Sequence, residues 1–312
     1  MKLRNTLLLL ALLLWLPSGR LAAAEISSEA RIVVPAQVQQ ILSVSYSRLH
    51  DPALQPLLAQ VLPPEFQNVS TIFKQGGIQP QTDVRRLEFI IFSGAKGPGL
   101  LLVAEGNFEN FQPDRFFHKT KRRPQPPQYH GIRYDSANGL DFFLPDNGTL
   151  VLGSYANIRR AIDAEQGVIP NLDSNSSMSD LISGTQDTDV WSVLNAAGTR
   201  NVLTSLVGAG GKMGNVLSRQ FNGCRYTLDF TSGVQLNLEL IAGDDLTAAS
   251  LSTGLRAALL YREAQEPNPV VKQLLNAVEV DSAGSHVFLQ VSSTENQLAQ
   301  LTSSPLFKSI IR

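Results

Sequence analysis

The chain has 312 residues, with 26 basic and 27 acidic side chains, four histidines and one cysteine. Three of the bases (Lys2, Arg4, Arg20) and no acid precede residue 25, so the remainder carries 23 bases against 27 acids. That mildly acidic balance excludes the basic footprint of a nucleic-acid or anionic-lipid binder. The lone Cys224 excludes an internal disulfide and a thiolate metal site.

Residues 1–24 read as a secretory signal peptide. Lys2 and Arg4 form a positive start, Leu7 to Leu16 is an unbroken apolar run, and Pro17 to Gly19 break it. Ala22, Ala23 and Ala24 offer small residues for cleavage, which places the mature start at Glu25. The apolar run is about half the roughly 20 residues a spanning helix needs. No later stretch reads as a span, so the mature protein is expected without a transmembrane anchor, exported to the periplasm or beyond in a bacterium. The sequons at Asn68, Asn147 and Asn175 are then chance occurrences.

A first half is expected over residues 25–170. Ile41 to Leu49 alternates like a half-buried strand. Asp51-Pro52 opens a helix that Pro63-Pro64 ends, and a second helix covers Glu65 to Gln75. Val84 to Ser93 and Gly99 to Asn107 form a strand pair. After a short helix from Pro113 to Thr120, the stretch His118 to His130 (HKTKRRPQPPQYH) combines a basic cluster with prolines and reads as an exposed loop. Three short strands follow, at 131–135, 140–144 and 149–153, separated by Asn138-Gly139 and Asn147-Gly148, dipeptides suited to type I′ turns. Tyr155 to Glu165 is a helix.

The polar stretch 171–188 reads as a linker to a second half, 189–312. There, Asp189 to Leu194 is a strand and 199–219 are helical. Arg225 to Thr231 and Val234 to Ile241 make a hairpin. Helices at 246–262 and 269–277 precede strands at 278–281 and 286–292, and a helix over 294–301 closes the chain. The order of elements repeats between halves, and an Asp-Ser-Ala turn recurs at 135–137 and 281–283. The expected class is α+β, with internal duplication and an antiparallel sheet covered by helices in each half; ferredoxin-like modules are the simplest form.

Catalytic signatures fail in detail. The Gly208–Gly214 cluster has Met213 where a phosphate loop needs Ser or Thr. Ser93-Gly-Ala-Lys96 has S-x-x-K spacing, but it sits in a turn without companion motifs. The histidines, His50, His118, His130 and His286, lack helical metal-ligand spacing. Neither a metal nor a cofactor is indicated. Acid groupings (Glu105 with Glu109; Asp135 with Asp141 and Asp146; Asp244-Asp245) have conformational readings: Asp at strand ends and turns, and Asp244-Asp245 as the cap of the helix after it. Cys224 reads as a buried, inert thiol.

The motifs Gly76-Gly-Ile-Gln-Pro-Gln-Thr-Asp83-Val and Leu100-Leu-Leu-Val-Ala-Glu-Gly-Asn-Phe108 resemble those of a group of uncharacterised bacterial exported proteins. The resemblance covers mainly residues 40–165 and implies no catalytic residue. The residues together point to an exported envelope protein with a non-enzymatic binding or structural role. Its contact surface is expected at Lys119, Lys121, Arg122, Arg123 and His130, facing another envelope protein or an acidic ligand. The alternatives are an exported hydrolase built from dispersed residues such as Asp135, Asp141 and His130, and a carrier of small apolar ligands.

Overall fold

The computed structural model describes residues 23–50, 69–94, 97–117, 125–207, 221–231 and 233–303. The expected helix at 51–62, the glycine cluster and most of the signal segment lie outside them.

Eleven antiparallel strands form one sheet. In chain order, and counting a separate two-stranded hairpin, the strands are β1 (Val38–Ser45), β2 (Val84–Gly94), β3 (Gly97–Gly106), β4 (Gln128–Tyr129), β5 (Ile132–Arg133), β6 (Asp135–Ala137), β7 (Leu140–Phe143), β8 (Thr149–Gly153), β9 (Val190–Asn195), β10 (Phe221–Asp229), β11 (Val234–Ala242), β12 (Glu279–Ala283) and β13 (His286–Ser293). The large sheet runs β12-β13-β11-β10-β9-β1-β2-β3-β8-β7-β6, and β4 and β5 pair only with each other. The α+β class is as expected; two sheets, one per half, are not what forms. β1 pairs directly with β9, from Gln40 opposite Leu194 to Val44 opposite Val190. A free β1 or β9 would expose a row of unpaired backbone groups, and pairing the two removes both edges.

The side chains of Leu87 and Phe89 mark the front face of the sheet, and those of Ile90 and Phe92 the back. On the front lies α2 (Val69–Gly76), burying Ile72 and Phe73 with Phe108, Phe111, Phe116 and Phe142. Further along the front, α7 (Asp245–Gln265) buries Ala248 and Leu251 against Cys224, Leu240 and Val287. On the back lie α1 (Ser28–Val33), α4 (Tyr155–Glu165) and α5 (Ser176–Ser183). They bury Ala30, Val33, Ile158, Ala161, Ile162, Met178 and Leu181 over Ile90, Leu101, Val103 and Trp191. Each fully buried side chain of this size contributes about 1.5–3 kcal/mol. The first flank, from β1 out to β7, is therefore covered on both faces, not one. Its strands read accordingly: Phe89 to Phe92 and Leu101 to Ala104 are almost wholly buried, apolar runs.

Two segments gain structure that local sequence did not announce. α1 sits in the lead-in, tied by Arg31 to Asp173 (2.6 Å) and Ser179 (2.8 Å). The stretch expected as a linker holds α5, capped by Asn175, whose Oδ1 accepts from Met178 N at 3.0 Å; its apolar residues sink into the back core. Conversely, the helix expected from Pro113 is a single turn of 3₁₀ helix, Pro113–Arg115. Asn138-Gly139 forms the expected turn, with φ of 52° and 86°. His130-Gly131 forms another of the same kind (49°, 81°).

The remaining helices are α3 (Pro80–Asp83), α6 (Ala196–Val207), α8 (Pro269–Asn276) and α9 (Glu295–Ser303). α9 packs against α8, which packs against α7, so α9 belongs to the front layer. This has a consequence for the back of the second flank. In the first flank the helix after the last strand, α4, folds over the back face. In the second flank the helix after the last strand goes to the front. Among the described residues no helix then lies over the back of β11 and β13.

Candidate functional site

The uncovered back face of β10, β11 and β13 carries polar side chains in register. One row across the strands is Thr227, Asn237, Gln290; the next is Arg225, Glu239, Phe288. Flanking rows add Asp229, Gln235 and Ser292 at one end, and Ile241 and His286 at the other. With Gly184, Thr185 and Gln186 after α5 as one wall, the two central rows line an open cleft of about 330 Å³, within the size range of small-ligand sites.

The charges in the cleft close on one another. Arg225 donates from Nε (2.5 Å) and Nη2 (2.8 Å) to the two carboxylate oxygens of Glu239, a bidentate pair. Nδ1 of His286 lies 2.5 Å from Glu239 Oε1. The His286 ring stacks on Phe288, with centroids 6.2 Å apart and planes 13° from parallel. Asn237 Nδ2 reaches Thr227 Oγ1 at 3.5 Å. Gln290 is exposed. On the outer strand β12, Glu279 and Asp281 continue the two rows and form an acidic rim.

Beside the cleft the back face turns inward and becomes charged. Trp191, Ser43 and Glu88 occupy one row across β9, β1 and β2, with Thr227 next in line. Glu88 is fully buried; its carboxyl is pushed well above the ordinary range by burial and then by Glu105, with Arg86, Ser43 and Arg85 opposing. Arg86 Nη1 donates to Ser43 Oγ (3.1 Å), and Nη2 to Asp187 (3.0 Å) and Thr188 O (3.2 Å). Glu105 accepts from Ser27 N (2.9 Å) and pairs with Arg85.

Lys119, Lys121, Arg122 and Arg123 lie outside the described residues. His130 lies at the tip of the β4–β5 turn, its ring 4.2 Å from that of Tyr129 and its Nε2 3.3 Å from Asp163 Oδ1. The hydrolase grouping does not assemble. Asp135 pairs with Phe142 and shares its front face, whereas Asp141 pairs with Ser136 on the back. Asp135 is held by Arg133 (2.8 Å), and its carboxyl is raised by burial. Glu105 is buried and Glu109 exposed, so they do not form a pair. Asp244 caps α7, accepting from Thr247 N at 2.7 Å. Cys224 is free and buried; burial and then Glu239 push its thiol up to about 12.

The cleft residues fall in segments read from sequence as a linker, a hairpin and a strand, and of them only His286 was weighed for chemistry; none was assigned a site. A signal was present. Val234 to Ile241 and His286 to Ser292 alternate apolar with polar, whereas β2 and β3 are apolar on both faces. Alternation over adjacent paired strands marks one uncovered face.

Among the described residues no helix is long and apolar enough to cross a membrane. No protein-family model matches the chain, and no curated protein matches it in sequence. Among solved structures it is similar to TP0453 of Treponema pallidum. Crystal form I is 12% identical, with 90% of this chain and 96% of that chain covered and a TM-score of 0.48. Crystal form IV is 11% identical, covering 88% and 96%, with a TM-score of 0.49.

Proposed function

We propose that the chain is an exported bacterial envelope protein with a non-enzymatic binding role, and that its binding surface is the back face of β10, β11 and β13. The observation that carries the reading is the contrast between the two flanks. The first flank buries its back face under three helices; the second presents an ordered grid of hydrogen-bonding side chains there. An open cleft of about 330 Å³ where polar groups converge around an aromatic ring supports the reading. The signal pattern of residues 1–24 supports export. The basic loop (Lys119, Lys121, Arg122, Arg123, with His130 at its end) is a second contact surface, for an acidic partner or ligand.

The division at 25–170 and 189–312 reflects an internal duplication in this reading. Outward from the central β1–β9 pair, the strands run β1-β2-β3-β8-β7-β6 on one side and β9-β10-β11-β13-β12 on the other, so β6 is an extra edge strand without a counterpart. The Asp-Ser-Ala echo does not support it, because β6 and β12 hold different places in that order. In a duplicated fold, the helix missing from one back face is a natural origin for a site.

A benzophenone amino acid at Gln290, in protein expressed in its own host, tests the binding surface. Irradiation should give envelope adducts from position 290 and none from Thr253, an exposed position on α7. Absence of adducts at 290, or equal labelling at both, overturns the reading.

A further inference from the structure

We infer that the ligand of the open back face is a neutral oligosaccharide. This rests on the reading of that face as the binding surface and names the class of molecule it takes.

Charge is the first argument. Arg225 donates from Nε and Nη2 to Glu239, and His286 sits on the same carboxylate, so among the described residues the cations of the cleft are already opposed by a carboxylate. Glu279 on the rim repels an anion further, whereas Asp281 is partly offset by Arg256 at 3.8 Å. A ligand must therefore displace or tolerate a closed ion pair, and an uncharged molecule does so at the least cost.

Hydrogen-bonding capacity is the second. The side chains in the Thr227–Asn237–Gln290 row are a hydroxyl and two amides, each both donor and acceptor. Sugar hydroxyls have the same dual character, and neutral amides satisfy them without desolvating a charge. Thr227 is buried and accepts from Asn237, so the row offers Asn237 and Gln290, on adjacent strands about 4.8 Å apart, as partners to neighbouring units.

The third argument is shape. Phe288 occupies the row next to Asn237 and Gln290, with the nearly parallel His286 ring beside it. The Phe288 ring gives an apolar patch at the edge of the amide row, a seat for the C–H face of a pyranose, with His286 held on Glu239 beside it. The groups lie on a sheet face, not an edge. A peptide adding as a strand uses an edge, and the nearer edge strand, β12, has its Val280 carbonyl already taken by Arg256 (2.9 Å).

Residue 191 supplies the readout. The chain has two tryptophans, Trp15 and Trp191, so protein starting at Glu25 has one. Trp191 is fully buried and pairs with Thr227, at the end of the amide row. Protein of residues 25–312 is titrated with maltohexaose, cellohexaose and chitotetraose, with an oligogalacturonate as the acidic control and hexalysine as the basic one. Trp191 emission and calorimetry are followed together. At least one neutral oligosaccharide should saturate, and Phe288→Ala and Gln290→Ala should each weaken it tenfold or more. Gln290 is exposed, so its variant tests the site without loading the fold. Preference for the acidic or basic control, or no saturation by the neutral oligomers at millimolar concentration, overturns the inference. Envelope adducts from position 290 without sugar binding would remove the ligand class and leave the surface reading standing; failure of both removes both.

Discussion

Glu88 and Trp191 flank Ser43 from opposite sides in one cross-strand row, and each leaves a buried polar atom without a partner: Oε2 of the carboxyl and Nε1 of the indole. Ser43 Oγ donates to Glu88 Oε1 (3.3 Å) and accepts from Arg86 Nη1 (3.1 Å), which ties the carboxyl to the guanidinium on one side of the row. Leaving a buried group unmatched costs about 1–3 kcal/mol. The centre of the sheet thus holds a destabilising polar element next to the open cleft.

Glu88 makes stability depend on pH. Its folded carboxyl keeps its proton above the ordinary value of 4.5, while the unfolded one releases it there. The folded state then binds the extra proton, so stability falls as pH rises from about 4.5 through the raised folded value. Urea midpoints at pH 5 and pH 8 should differ in that sense for the native chain, and the difference should shrink in Glu88→Gln. An unchanged pH difference in the variant would show that another group is responsible.

Arg86 is nearly buried and satisfies Ser43, Asp187 and Thr188 at once. Arg86→Ala removes the cation beside the buried Glu88 and leaves Ser43 Oγ, Asp187 and Thr188 O without their donor. The expected loss is about 3–5 kcal/mol, read from equilibrium denaturation. A loss under about 1 kcal/mol, the scale of an exposed ion pair, would mean that the interior carboxyls are neutralised without it.

Gly106 ends β3 with no room for a side chain. A Cβ there would lie 2.0 Å from the Asp83 carbonyl oxygen, a main-chain atom that cannot rotate away. Gly106→Ala should cost about 1–3 kcal/mol, visible as a lowered melting temperature, whereas Gly254→Ala, with nothing within 4 Å, should be neutral or stabilising.

Cys224 should be chemically silent in the folded protein. With its thiol pushed up to about 12 by burial, almost no thiolate exists at pH 8. Ellman's reagent should react only as urea unfolds the chain, tracking the unfolding transition. Fast reaction in native buffer would show that the β10 core opens locally.

Much of this architecture was legible in local sequence. Tyr155 to Glu165 appears as a helix with those bounds, and the β2–β3 and β10–β11 hairpins fall where the apolar runs and turn residues put them. Asn138-Gly139 turns as its chemistry requires. These features depend on neighbours within a few residues, which periodicity and turn preference record. One misreading has the opposite cause. The segment 171–188 looked like a linker because its surface positions are polar, but Leu172, Met178, Leu181 and Ile182 find a core built by strands far away in the chain.

The chain by itself determined an α+β composition, the absence of an internal disulfide, an inert cysteine and the order of strands and helices, because these follow from residue type and local spacing. Only the tertiary structure decided that β1 and β9 join the halves into one sheet, that Asp135 and Asp141 lie on opposite faces, and that α9 packs on the front. The candidate site is a product of that last choice. Thr227, Asn237, Glu239, Phe288 and Gln290 are ordinary strand residues in sequence; they become a surface because cross-strand register aligns them and no helix among the described residues covers them.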